Sequence, residues 1–118
     1  MLPLKDRAFF LTTAGQVDEF LKRNPNSVLF KAGTCHKTQE TFQRVQAQLE
    51  RREDLPLGII RVVEGRPASN RVVEITGIAH ESPQFVLFRD GKAVYEVDNW
   101  DITGEAVAEA LQEHFTPA

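Results

Sequence analysis

The stretch Val28-Leu29-Phe30-Lys31-Ala32-Gly33-Thr34-Cys35 constrains this chain more than any other. Three apolar residues in succession read as a strand covered on both faces, because a sheet with one wet face alternates apolar and polar positions. Gly33 breaks the run, and helical periodicity follows. Phe42, Val45 and Leu49 form one narrow stripe, with Gln39, Glu40, Gln43, Arg44, Gln46 and Gln48 around it. The pattern predicts a central strand over 28–31, a loop, and a helix over about 38–52 with Cys35 at its entry.

A strand buried on both faces needs neighbours in the sheet and helices above and below, and the remaining periodicities supply them. Thr13-Ala14-Gly15-Gln16 has capping-box spacing, and Val17, Phe20 and Leu21 recur at helical intervals until Asn24-Pro25, so a first helix is predicted over 14–24. Leu55-Pro56-Leu57-Gly58 reads as a connection. Ile59-Ile60-Arg61-Val62-Val63 reads as a second strand, with Arg61 at its end or on a sheet edge. Pro67 opens a short helix whose apolar side is Val72, Val73 and Ile75, and Thr76-Gly77 closes it. The polar loop Ile78-Ala79-His80-Glu81-Ser82-Pro83 leads into the strand Gln84-Phe85-Val86-Leu87-Phe88. Asp90-Gly91 then turns the chain into an antiparallel strand over 93–97. A last helix from about Thr103 carries Val107, Ala110, Leu111, His114 and Phe115 on one face. This order predicts a single α/β domain over 1–118 with a thioredoxin-like fold, a central mixed four-stranded sheet flanked by helices.

Cys35 is the only cysteine. A lone cysteine is commonly a small buried hydrophobe, and that reading stands beside a second one. Its neighbours Thr34, His36 and Lys37 are polar, and the start of a helix offers unpaired N–H groups and a positive dipole end that favour the thiolate. Lys37 and His36 add to that field, and the thiol is expected to be more acidic than a free one. Cys35-His36-Lys37-Thr38 has the spacing of a C-x-x-C redox motif whose second cysteine is a threonine. The Thr38 hydroxyl, or a backbone N–H of that turn, is placed to donate to the thiolate. In the predicted fold Pro83 precedes a hairpin strand opposite the cysteine, and a cis Ser82–Pro83 bond is expected there.

The histidines His36, His80 and His114 share no metal-ligand spacing, so no metal and no cofactor is predicted. His80 is read as satisfying hydrogen bonds of its loop, Trp100 as core packing, and Glu50-Arg51-Arg52-Glu53-Asp54 as a solvated helix end. A net charge of −3 with 26% charged residues disfavours nucleic acid or an anionic membrane as partner. One cysteine excludes an internal disulfide and fits a reducing cytoplasm. The opening MLPLKDRAFFL is interrupted by Lys5, Asp6 and Arg7, unlike a signal peptide, and no run reaches membrane-spanning length.

Several stretches carry a likeness. Gly65-Arg66-Pro67-Ala68-Ser69-Asn70, Thr76-Gly77-Ile78-Ala79-His80-Glu81-Ser82-Pro83-Gln84, Asp90-Gly91 and Trp100-Asp101-Ile102-Thr103 together resemble the monothiol bacilliredoxin-like family, and His80-Glu81-Ser82-Pro83-Gln84 is the most specific part. The resemblance implies a thiol-disulfide oxidoreductase that removes bacillithiol, or a similar small thiol, from protein mixed disulfides. Cys35 matches the family's nucleophile and Pro83 its cis proline, while Thr34, His36, Lys37, Thr38, Ser82 and Pro83 would receive the substrate. The implied partners are bacillithiolated proteins and the small thiol itself. Where the family reads Thr-Cys-Pro-x-Ser, this chain reads Thr34-Cys35-His36-Lys37-Thr38, keeping the hydroxyl and losing the proline. Two other functions stand beside this one: an iron–sulfur cluster carrier resembling monothiol glutaredoxins, and a redox-inactive thioredoxin-like interaction module. Visible absorption after cluster reconstitution would mark the first, and a thiol of ordinary reactivity the second. Oligomeric state has no sequence signature here.

Overall fold

The computed structural model describes residues 4–52 and 54–115; expectations that concern residues 1–3, Glu53 and residues 116–118 lie outside them. Five strands form one sheet in the order β1-β3-β2-β4-β5. They are β1 (Ala8–Phe10), β2 (Ser27–Ala32), β3 (Leu57–Arg61), β4 (Gln84–Arg89) and β5 (Lys92–Asp98). β1 and β2 run parallel to β3, whereas β4 runs antiparallel to both β2 and β5. The thioredoxin-like architecture is as expected, with one strand more than the four predicted. β1 has three residues, two of them, Phe9 and Phe10, facing solvent on the sheet edge, so neither length nor alternation marked it.

β2 is the central strand. Val28 and Phe30 join one apolar cluster with Val45 and Leu49 of α2 (His36–Leu49) and Val107, Ala110 and Leu111 of α4 (Gly104–His114). Leu29 joins the opposite cluster with Val17 and Phe20 of α1 (Ala14–Arg23) and Ala68 and Val72 of α3 (Arg66–Thr76). Both faces are therefore dry, which is why the run shows no alternation. β3 begins two residues earlier than predicted, because Leu57 and Gly58 pair with Val28 and Leu29 of β2 and with Ala8 and Phe9 of β1. Gly58 leaves room for side chains packed over the sheet: an added Cβ would meet Leu29 Cδ2 at 2.5 Å, Leu11 Cδ1 at 2.9 Å and Phe20 Cε2 of α1 at 3.2 Å.

Local signals held elsewhere. Thr13 and Gln16 form the reciprocal capping box of α1. Gly77 ends α3 in the left-handed region at φ 72°. The Asp90–Gly91 turn has φ 54° and 81°, the twist a tight hairpin requires. Ile75, assigned to the apolar side of α3, is exposed, and Ala68 and Ser69 are buried in its place. The charge run after α2 is also not simply solvated. Arg52 donates to Leu111 O at 3.2 Å and Phe115 O at 2.6 Å, fastening the end of α4. Arg7, buried beneath the sheet, donates to the carbonyls of Leu49 and Leu55.

Candidate active site

Helix α2 starts at His36, two residues earlier than its apolar stripe suggested, and Cys35 is the residue that caps it. The cysteine has extended backbone at φ −87°, ψ 164° and is exposed. Its sulfur makes no capping hydrogen bond as a thiol; the Thr38 N–H donates to the Cys35 carbonyl at 3.1 Å and stays close enough to favour a thiolate. Desolvation at the helix end pushes the thiol pKa up. The backbone N–H groups of Thr38 and Lys37, the Lys37 charge and the cysteine's own N–H outweigh that, leaving the thiol more acidic than an ordinary one.

Of the two donors expected in the turn at Thr38, the backbone N–H is the one that serves the thiolate. The Thr38 Oγ1 accepts the Gly33 N–H at 2.9 Å and so closes the loop that presents Cys35. Ser82 belongs to the same corner, since an added Cβ on Gly33 would lie 3.1 Å from Ser82 Oγ and 3.4 Å from Thr38 Oγ1. The Ser82–Pro83 bond is cis, as expected, and Pro83 is buried with its carbonyl accepting the Asn99 N–H at 2.9 Å.

The far wall is a short 3-10 turn, Asn99–Asp101. Lys37 Nζ donates to Asn99 Oδ1 at 2.8 Å, and Asn99 Nδ2 donates to Glu81 Oε1 at 3.0 Å. One asparagine thus connects the cysteine helix to the proline loop. Asn99 has φ 51°, a conformation asparagine tolerates better than most residues, and that is the one signal in its type. Trp100 is not core packing: it is 45% exposed, with its ring 5.9 Å from that of His36 and 5.7 Å from the Arg44 guanidinium carbon. Aromaticity alone pointed inward, whereas the turn carries the ring outward along the rim. The structure therefore places Thr38 and Ser82 on either side of Gly33, joins Lys37 to the Pro83 carbonyl through Asn99, sets His36 on the rim beside Trp100, and leaves Thr34 and Cys35 exposed.

A thiol of lowered pKa at the mouth of a thioredoxin-like sheet is equipped for thiol-disulfide exchange. The family model described as Monothiol bacilliredoxin BrxC matches residues 10–107. The chain belongs to the monothiol bacilliredoxin family. Bacilliredoxin SH1401 of Staphylococcus haemolyticus is 26% identical over 106 residues, covering 87% of this chain and 73% of that protein. Among solved structures, a protein described as an oxidoreductase with a thioredoxin fold is 25% identical with a TM-score of 0.82, covering 93% of this chain and 98% of the other. A single-site variant of thioredoxin from Halobacterium salinarum shares the fold at 18% identity and a TM-score of 0.76, covering 100% and 98% of the two chains. Membership of the monothiol bacilliredoxin family makes the chain a thiol oxidoreductase. Among the described residues no group of three or more His, Cys, Asp or Glu side chains is arranged to hold a metal ion, and no helix is long and apolar enough to cross a membrane.

Proposed function

We propose that the protein removes bacillithiol, or a closely similar small thiol, from protein mixed disulfides, acting in the reducing cytoplasm through Cys35 alone. The observation that carries this reading is the exposed cysteine at the start of α2, its pKa lowered by the first-turn N–H groups and Lys37. Cys35 thiolate attacks the small-thiol sulfur of the mixed disulfide. The new bond joins Cys35 to that sulfur, the old S–S bond breaks, and the target protein leaves as its thiolate. Attack at the small-thiol sulfur follows from access, the protein sulfur being the more crowded. Thr34, His36 and Lys37 flank the incoming disulfide, Thr38 holds the presenting loop, and the Ser82 backbone with Pro83 aligns the sulfurs.

With one cysteine in the sequence, the Cys35 mixed disulfide has no internal thiol to resolve it. A second small thiol, as thiolate, attacks the small-thiol sulfur, leaving as a symmetric disulfide and returning Cys35 thiolate, or the thiolate of a reductase attacks that sulfur and takes the small thiol onto itself. Incubation with a bacillithiolated protein followed by mass spectrometry tests the reading. A single bacillithiol adduct on Cys35, with release of the reduced target, is the expected result. No adduct, or full activity in Cys35→Ser, would overturn it.

A further inference from the structure

Lys31 lies one residue before the end of the central strand, with 1% of its surface exposed. A cation there is costly. Burial alone lowers its pKa to about 8, and a leucine or methionine would fill the position without that penalty. Its neighbours explain what it does. Lys31 shares the sheet face of Leu29 and reaches the loop after α3, where its Nζ is 3.2 Å from His80 Nδ1. Ser69 Oγ, on α3, is also 3.2 Å from that nitrogen. While Lys31 carries its charge it can only donate, which makes Nδ1 the acceptor and leaves the ring neutral with its proton on Nε2; the Ser69 hydroxyl can then donate to the same nitrogen. Consistently, desolvation, the Lys31 charge and Arg66 hold the His80 pKa below its usual value against the opposing pull of Glu81.

Directly across the antiparallel ladder, Gln84 pairs with Lys31 and so projects on the same face. Its Nε2 donates to Ala79 O at 3.1 Å and to Glu96 Oε2 at 2.8 Å, while its Oε1 is buried with no partner, an acceptor on the ammonium's own side. Residues 77–81 belong to no helix or ladder. Side chains must hold such a segment, and two strand residues do so: Gln84 at Ala79 and Lys31 at His80. The chain held in this way leads within three residues to Pro83.

We propose that Lys31 is a positioning residue that locks the proline loop through His80, so that an incoming disulfide is aligned beside Cys35, while leaving the acidity of the thiol untouched. The thiolate is served by the N–H groups of α2 and by Lys37, and Lys31 is not among the charges acting on it. The lock depends on a neutral His80. Protonation at Nδ1 would set two cations against each other, with Arg66 on α3 adding to the repulsion and Glu81 and Glu96 as the nearby carboxylates. The proposal rests on Cys35 performing disulfide exchange, and on nothing about which small thiol is used.

The test compares two reactions of the intact protein, read by mass at its single cysteine. Iodoacetamide needs only the thiolate, whereas bis(2-hydroxyethyl) disulfide needs the thiolate and an aligned S–S bond, with 2-mercaptoethanol leaving as its thiolate. The ratio of the two rates cancels the thiolate fraction. Lys31→Met and His80→Ala should each lower this ratio about tenfold, the scale set by a misplaced reacting pair. His80→Gln, which keeps an acceptor for Lys31, should stay within about twofold of wild type on the same scale. On acidification the ratio should fall in wild type as His80 protonates and stay flat in His80→Gln. His80 is on an exposed loop, so its variants retain the fold even if Lys31→Met does not. An unchanged ratio in His80→Ala, or an equal loss in His80→Gln, would overturn the proposal. Failure of bacillithiol transfer with the predicted ratios intact would instead overturn only the choice of small thiol.

Discussion

Helices α1 and α4 begin on threonines, and α2 begins on a cysteine. The three capping residues share one backbone geometry, extended with ψ of 158°, 158° and 164°. Thr13 Oγ1 accepts the Gln16 N–H at 3.1 Å and Thr103 Oγ1 accepts the Ala106 N–H at 3.0 Å, so in each of these two helices a side chain satisfies one first-turn donor. At α2 the same donors face a sulfur that accepts well only as thiolate. The difference teaches that α2 lacks the side-chain cap the other two helices have, its Thr38 N–H turning back to Cys35 O at 3.1 Å, and that the same first-turn N–H groups favour the Cys35 thiolate. Stability and reactivity draw on the same N–H groups.

The largest effect on this comparison comes from turning the third helix into a copy of the other two. Cys35→Ser should abolish removal of the small thiol entirely and raise stability by about 1 kcal/mol through a new cap, read as a higher urea midpoint at unchanged slope. Loss of activity without any gain in midpoint would mean that the bond from the Thr38 N–H to Cys35 O already does what a side-chain cap would add. Next, Thr13→Ala and Thr103→Ala should each cost about 1 kcal/mol and leave the rate of Cys35 alkylation as it was, because those caps are remote from the thiol. A change in alkylation would show that the three helix ends are coupled.

The pH dependence sharpens the contrast further. The folded-state pKa of Cys35 is lowered, so its stabilising contribution is fully present above the pKa of the unfolded thiol and is lost as pH falls through the lower folded value. Denaturation midpoints followed across that window should carry this slope in wild type and lose it in Cys35→Ser. Lys37→Gln should raise the alkylation pKa yet keep it below that of a free thiol, since the N–H groups of Thr38 and Lys37 remain. A return to the free-thiol value would assign the whole effect to the ammonium. Thr38→Val should move the thiol least, because the groups lowering its pKa are backbone N–H donors and Lys37, while the hydroxyl accepts the Gly33 N–H. Its measurable consequence should be faster hydrogen exchange at Gly33.

What the sequence determined by itself were features whose cause is local. The capping box at Thr13, the left-handed stop at Gly77, the Asp90–Gly91 turn and the doubly buried run at Val28-Leu29-Phe30 each depend on residues within a few positions of one another, and each was readable without the fold. The cysteine's place at a helix entry belongs to the same class. Only the tertiary structure decided the features whose cause lies far along the chain. β1 is a strand because β3 offers it an edge, although Phe9 and Phe10 bury too little to show a pattern. Lys31 looks like the point where an apolar run breaks, and it becomes a buried hub when folding brings His80 to it, 49 residues later in sequence. Asn99 meets Lys37 across 62 residues. Trp100 is turned outward by a 3-10 turn that no hydrophobicity pattern encodes. The physical reason is the range of the interaction. Dihedral preference and helix capping act within a turn of chain, whereas hydrogen bonds between side chains on separate elements exist only after the sheet has set the distances between them.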